Sequence, residues 1–433
     1  MEAKPGFANT TSAQALDALR EIVVEGVVRR GVSADEIYRV VPELYAEPAN
    51  EAELARVLEY ANRAEMLVAP RGGGTKMDWG SAAQSIDLMI SSAKFDRILE
   101  YAPGDMTVTV GAGVTIAQLQ SALAEHRQRL ALDPLWPERA TVGGVIASND
   151  SGALRVRYGS VRDLIIGITV VLGDGTIATS GGKVVKNVAG YDLPKLMSGA
   201  LGTLGIITRA VFRLHPLPQE SKTLSFSFLN REKANEFMLS IADSVVVPTG
   251  LQMRTGASGN IAVDVRIDGI AAGVAAQAET VCKLAGNVNP FEPSSSMSNV
   301  DPWQAREQLW SSGASATLCK LSLLPTQLSS TAEFIREALS DNADWTLLMH
   351  STGLAWLQLD AADCARIADF ISSIRAFLAS SGGTAVVLKA PPLLRQKVDL
   401  WGSAGTALPL MKRIKEQFDP RGILNRGRFV GGI

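Results

Sequence analysis

Cysteine and histidine are scarce: the 433 residues contain three of each. Cys282, Cys319 and Cys364 stand far apart and form no CxxC pair. Nothing in that spacing supports a disulfide framework, a zinc knuckle or an iron–sulfur site, and buried thiols are the plain reading. An excess of charge of one sign is missing too. Lysine and arginine number 42, aspartate and glutamate 44. A net charge of -2 gives no general pull toward nucleic acid or an anionic membrane. No apolar run reaches the roughly 18 residues of a membrane span. The opening "MEAKPGFANT" lacks a charged-then-apolar leader. A cytoplasmic protein is expected, peripheral at the inner face of a membrane only through partners.

What is present is glycine, 39 of them, and a length that suggests two or three domains. Residues 13–30 read as an amphipathic helix, with Leu16, Leu19, Val23 and Val27 near helical spacing. A short strand in "YRVVPELYAEP" leads to a helix capped by Asn50, with Leu54, Val57, Leu58 and Ala61 on one face. "LVAP" then delivers a buried strand to Arg71. "DMTVTVGAG" alternates as a strand, "VTIAQLQSALAEH" reads as a helix, and Asp174-Gly175 joins two strands in a tight turn. The long strand "LGIITRAVFRLHPLP" ends in a Pro-rich exit, 215–220, taken as the main domain boundary. Beyond it, strands ("LSFSF", "IAVDVRIDG", "WLQLD", "TAVVLK") alternate with helices in a second α+β domain. Residues 288–302 read as a loop.

The stretch "PRGGGTKMDWG" follows the buried strand. Gly72, Gly73 and Gly74 let backbone N–H groups turn toward an anion, while Arg71 adds a charge and Thr75 a hydroxyl. It is no P-loop, because Lys76 has no hydroxyl residue after it. "GAGVTI" and "GALGTLG" are not the dinucleotide fingerprint of a doubly wound sheet either. From these residues alone, a dinucleotide pyrophosphate and a ligand-free glycine turn both stand.

The loop has company. "DPLWPERATVGGVIASNDSGALRVRYGS" carries Asp133-Pro134, Thr141, Gly143-Gly144, Ala147, Asn149, Ser151, Gly152 and Tyr158. "GYDLPKLMSGALGTLGIIT" follows, with Gly205-Ile206-Ile207. This ordered series resembles the FAD-binding domain of the vanillyl-alcohol oxidase / p-cresol methylhydroxylase flavoproteins over about residues 38–219. The resemblance implies an α+β fold: two α+β subdomains clasping FAD, then an antiparallel sheet with helices in an FAD-linked oxidase C-terminal domain. The expected limits are an N-terminal helical extension at 1–37, the FAD domain at 38–219 and the C-terminal domain at 220–433. Pro70 to Lys76 and Gly80 would hold pyrophosphate. The Gly143–Gly152 region would line pyrophosphate and flavin, with Asp133, Pro134, Thr141 and Tyr158 as further cofactor-binding positions, and Gly205 to Ile207 would pack on the adenosine side. Some relatives tether flavin through His or Cys. Here Thr75 stands where such a His would, so non-covalent FAD is implied.

The ending "FDPRGILNRGRF" is similar to that of D-lactate dehydrogenases and the flavin subunits of bacterial glycolate oxidases. The run Gly72-Gly73-Gly74-Thr75-Lys76, with Gly80, resembles the smaller of the two glycolate oxidase flavin subunits. The implied partners are a catalytic flavin subunit and an iron–sulfur subunit, with glycolate or another 2-hydroxy acid as electron donor. The catalytic type carries His-x-Gly-Asp-Gly-Asn-x-His and Glu-His-Gly; here "MHSTGLAWLQL" keeps only His350. No metal is expected. His350, Lys320, Lys389 and Arg266 are the candidate catalytic residues, each with an ordinary packing or surface role as the commoner reading. The alternatives are a stand-alone metal-free FAD oxidoreductase and a flavin-binding assembly protein without turnover.

Overall fold

The computed structural model describes residues 11–182, 192–288, 301–311, 313, 315–339, 343–361 and 363–433. Residues 190–191 of the Gly-Tyr-Asp-Leu motif and 289–300 of the expected loop lie outside these. The chain divides into two units. The first holds Met1–Ser151, Ser160–Leu217 and Ser403–Ile433; the second holds Gly152–Gly159 and Pro218–Gly402.

The first unit opens with α1 (Ser12–Ile22), β1 (Val27–Arg30), β2 (Leu44–Glu47), α2 (Glu51–Arg63), β3 (Val68–Arg71) and β4 (Leu88–Ser91). Its first sheet runs β1-β2-β4-β3, with β1 antiparallel and the other three strands parallel. Asn50 caps α2, its side chain accepting from Glu53 N–H at 2.9 Å. Leu54, Val57, Leu58 and Ala61 of α2 are fully buried with Ala15 and Leu19 of α1. The single helix expected over 13–30 is corrected: the helix ends at Ile22, and Val27–Arg30 pairs with Leu44–Glu47. Gly26 permits the change, since a Cβ there would sit 2.1 Å from Glu47 O. Glu53 holds the connection by accepting from Val24 N–H and Glu25 N–H, each at 2.9 Å.

Next in the chain come β5 (Ile98–Ala102), β6 (Thr107–Gly111), α3 (Ile116–Ala124), β7 (Gln128–Arg129), α4 (Val142–Ser148), α5 (Arg155–Tyr158), which belongs to the second unit, then α6 (Val161–Leu164), β8 (Ile165–Val171), β9 (Ile177–Gly181), α7 (Leu193–Met197), β10 (Ile206–Arg213) and β11 (His215–Pro216). The second sheet is antiparallel, β5-β6-β10-β8-β9. Asp174-Gly175 makes the expected turn between β8 and β9, with Gly175 at φ +89°.

The second unit adds β12 (Glu220–Phe228), α8 (Arg231–Ala242), β13 (Gly250–Gly256), β14 (Ile261–Gly269), α9 (Ala271–Val288), α10 (Ala305–Gln308), β15 (Thr317–Ser322), α11 (Leu328–Leu339), β16 (Asp344–His350), β17 (Leu354–Asp360), α12 (Cys364–Ala379), β18 (Thr384–Lys389) and α13 (Pro392–Arg395). Its seven strands form one antiparallel sheet, β12-β14-β13-β16-β17-β15-β18. Alternation decides what each face carries. Trp345, Leu347 and Met349 of β16 join the core built with Phe237, Ile335, Phe370 and Ile374 of the helices. Leu348 and His350 therefore point to the opposite face, with Trp356 and Lys320 on their strands.

The tail, with α14 (Leu408–Phe418), packs in the first unit and not in the 220–433 domain where the sequence placed it. The cause is hydrogen bonding. Val68 N–H donates to Ile423 O at 2.8 Å and Asn425 N–H to Val68 O at 2.8 Å, adding a strand-like bridge beside β3. Lys415 Nζ reaches Thr203 O at 2.7 Å and Leu424 O at 2.9 Å.

Candidate cofactor site

One cavity of the first unit collects most of the expected cofactor residues. Pro70, Arg71, Gly72, Gly73, Gly74, Thr75 and Lys76 line it, with Thr141, Gly143, Gly144, Ala147, Gly205, Ile206 and Ile207. β3 delivers the first group, the start of α4 the second, and the entry to β10 the third. Thr141 joins two of them. Its Oγ1 accepts from Gly73 N–H at 3.3 Å and from Gly144 N–H at 3.4 Å, so one hydroxyl caps α4 and fixes the glycine loop.

The glycines divide by cause. A Cβ on Gly72 would meet Thr141 Oγ1 at 2.3 Å, and one on Gly73 would meet Arg139 O at 1.8 Å. These two are dictated by contact within the fold. A Cβ on Gly144 would meet only Thr141 Oγ1, at 3.3 Å, and otherwise enter the cavity. The first N–H groups of α4 are committed internally: Val142 N–H to Val114 O and Gly143 N–H to Ala112 O. Helix α4 therefore does not offer its amino end to an anion.

The charges are also tied. Arg71 Nη1 lies 3.2 Å from Asp35 Oδ1, and Asp35 is shared with Arg29. The Arg29 hydrogen bond holds the Asp35 carboxyl below its usual range, against the opposing effect of burial. Lys76 Nζ lies 3.2 Å from Asp150 Oδ2, with both side chains almost wholly buried. Leu135 N–H donates to the same carboxylate at 2.8 Å. Asp133 and Pro134 are not among the residues lining the cavity. Gly80 closes the loop at φ +84° and accepts from Tyr38 Oη, also off the wall. Asn149 caps the end of α4 at φ +47°. Ser151 is buried, and Gly152 and Tyr158 belong to the second unit; none of these lines the cavity.

Sequence reasoning missed Met77, Trp79, Ser92, Ser148, Leu201, Gly202, Asn425 and Arg428 on the wall. Asn425 and Arg428 come from the tail. Arg428 donates to Met77 O, to Trp79 O at 2.8 Å and to Ser81 O at 3.3 Å, so the tail holds the far side of the glycine loop. Asn425 Nδ2 donates to Leu201 O at 2.6 Å. Its Oδ1 is buried with no partner among the described residues. The "ILNRGRF" ending was the signal for both, but it pointed to a likeness and not to a wall.

Residues 42–181 match the FAD binding domain and residues 401–429 the C-terminal domain of FAD linked oxidases. The chain carries an FAD binding domain. The cavity suits that cofactor on its own terms: it has an open cradle at Gly144, an orphaned buried acceptor at Asn425 and a wall of glycine and isoleucine for a flat ring. The chain is 34% identical over 215 residues to glycolate oxidase subunit GlcD of Bacillus subtilis. It is 35% identical over 196 residues to a D-lactate dehydrogenase of Archaeoglobus fulgidus. These matches cover 50% and 45% of this chain, and 46% and 44% of those relatives, so the chain spans about half their length. The fold is that of p-cresol methylhydroxylase, at TM-score 0.77 and 16% identity, over 96% of each chain. A 4-ethylphenol oxidase from Gulosibacter chungangensis matches at TM-score 0.73 and 14% identity, over 98% of each chain.

In the second unit, His350 ends β16 and is buried, with its ring edge-on to Trp356 at 4.7 Å. Burial, then the charges of Arg306 and Arg155, push its pKa down to about 3, so the imidazole is neutral at pH 7. Arg306, which sequence reasoning passed over, lies 5.2 Å from the Trp356 ring centroid. Lys320 sits opposite Trp356 in register. Arg266 is stacked on Trp303 at 4.7 Å, and Trp303 Nε1 donates to Thr223 Oγ1, which makes Arg266 a packing residue. Lys389 Nζ reaches Trp310 O at 3.5 Å. The structure therefore groups His350, Lys320 and Arg306, and separates Arg266 from them by the intervening strand β13. No helix among the described residues is long and apolar enough to cross a membrane.

Proposed function

We propose that the chain is an FAD-dependent oxidoreductase subunit acting with partners on a 2-hydroxy acid. Residues 38–219 together with the tail from Ser403 form its cofactor domain. The observation that carries this reading is the single cavity shared by the glycine loop, Thr141, Gly144 and the Gly205–Ile207 strand. Bound FAD would supply a two-electron acceptor for the α-carbon hydride. Among the described residues lining the cavity there is no His or Cys, which supports non-covalent binding.

The finer reading is the smaller flavin subunit of a glycolate oxidase-type complex. It is supported by the Gly-Gly-Gly-Thr-Lys loop and by the poor fit of His350 to proton abstraction. A general base needs a pKa near the working pH. His350 is held far below it by burial first and then by the charges of Arg306 and Arg155. With no base of its own at this position, the chain would leave both proton and hydride removal to the catalytic partner, its own FAD passing or supporting the transfer of electrons to an iron–sulfur subunit. The partners are a catalytic flavin subunit and an iron–sulfur subunit; three separated cysteines give this chain no cluster of its own.

The test is anaerobic. The purified chain receives glycolate and D-lactate, alone and then co-purified with subunits encoded beside it. Flavin bleaching only in the complex supports the subunit reading. Bleaching of the isolated chain supports the stand-alone oxidoreductase instead. Flavin that dithionite reduces but the complex never does supports the assembly protein.

A further inference from the structure

The unsatisfied atom on the cavity wall has a consequence for cofactor selection. Asn425 is only 7% exposed. Every other polar group of the residue is engaged. Its N–H donates to Val68 O, its carbonyl accepts from Arg428 N–H, and its Nδ2 donates to Leu201 O at 2.6 Å. The bond to a carbonyl fixes which amide atom is nitrogen, because a flipped oxygen would face another oxygen. Oδ1 is thereby turned away from Leu201 and left without a donor among the described residues. The backbone adds to the constraint: Asn425 sits at φ +43°, a conformation few residues other than Gly and Asn adopt easily.

A buried acceptor left unpaired costs about 1–3 kcal/mol. A strained, fully oriented residue carrying such an atom on a cavity wall is a poor investment for packing alone. We infer that Asn425 Oδ1 recognises the cofactor, accepting a hydrogen bond from an N–H or O–H donor of bound FAD. This rests on the reading of the cavity as the FAD site. It assigns the tail a direct part in binding, beyond bracing the glycine loop through Arg428. FAD offers such donors on both halves: amino and hydroxyl groups on the adenosine side, ring N–H and ribityl hydroxyls on the flavin side.

The test compares the wild-type chain, stripped of flavin, with Asn425→Gly, which keeps the left-handed backbone and removes the amide. Affinities for FAD, FMN and ADP are measured by calorimetry, and the melting of each flavin-free protein is recorded separately. The expected result is a loss of FAD affinity of about 5- to 20-fold. A parallel loss for ADP and not FMN assigns the donor to the adenosine half; the reverse assigns it to the flavin half. Wild-type binding of FAD with an unchanged affinity in Asn425→Gly overturns the inference while leaving the cavity reading intact. Failure of the wild type to bind FAD overturns both. Should Asn425→Gly not fold, wild-type protein with labelled asparagine serves instead. The Asn425 side-chain amide resonance is expected to shift when FAD is added, and a stationary resonance contradicts the inference.

Discussion

Lys415 Nζ lies 2.6 Å from Asp419 Oδ2, one turn along the same helix and inside the fold. Asp419 also accepts from Ile423 N–H at 3.1 Å and Leu424 N–H at 2.8 Å, so this pair directs the chain from α14 to Asn425. Burial lowers the Lys415 pKa despite the carboxylate beside it. Replacing one partner leaves a buried charge, at a cost of about 3–5 kcal/mol. Asp419→Asn is expected to lower the denaturation midpoint by a corresponding amount and to weaken FAD binding, because the wall at Asn425 moves with it. Chemical denaturation with and without FAD checks both.

Gly73→Ala and Gly144→Ala should fail in different ways. The first places a Cβ 1.8 Å from Arg139 O, and the loop must shift. The flavin-free protein is expected to lose roughly 2–4 kcal/mol of stability. The second meets only a hydroxyl at 3.3 Å, so its flavin-free stability should stay within about 1 kcal/mol of the wild type. FAD affinity is then expected to fall at least tenfold. Equal loss of stability in both variants would contradict the division of the glycines drawn from the fold.

Lys76→Met is expected to leave Asp150 buried without its cation and to destabilise the chain by about 3 kcal/mol. The Asp150→Asn variant should lose similar stability, and the double variant less than the sum, which a double-mutant cycle measures.

His350 makes stability depend on pH in a defined window. Its folded pKa of about 3 lies below its usual 6.5. Between those values the unfolded chain binds the proton and the folded chain does not, so this contribution rises with pH and is complete above about 6.5. It is lost as pH falls toward 3. His350→Phe should flatten the stability profile of the chain over that window while changing neutral-pH stability little. Asp35 adds acid sensitivity at lower pH, through a carboxyl pKa depressed by Arg29; that part persists in the variant.

Much of the molecule was legible in the sequence. Asn50 and the Leu54/Val57/Leu58/Ala61 stripe specify α2 outright, and Asp174-Gly175 specifies a hairpin, because both signals are local. The segment 23–30 was misread because Val23 and Val27 fit helical spacing and strand pairing equally; the partner at Leu44–Glu47 decides. The glycine loop was found as a loop, but which glycines face a ligand depends on Arg139 and Thr141, about seventy residues away. Asn425 and Arg428 were invisible as site residues, since only the fold brings the tail beside β3. Likewise Arg306 looks like any helical arginine until Trp356 and His350 appear against it.

The most direct measurement titrates flavin-stripped protein with FAD, wild type beside Gly144→Leu, and follows quenching of flavin fluorescence. Saturable non-covalent binding by the wild type, released on denaturation, is expected, and none by a folded Gly144→Leu. A wild-type chain that takes up no FAD, or a variant that binds it as tightly, would contradict the assignment of the cavity.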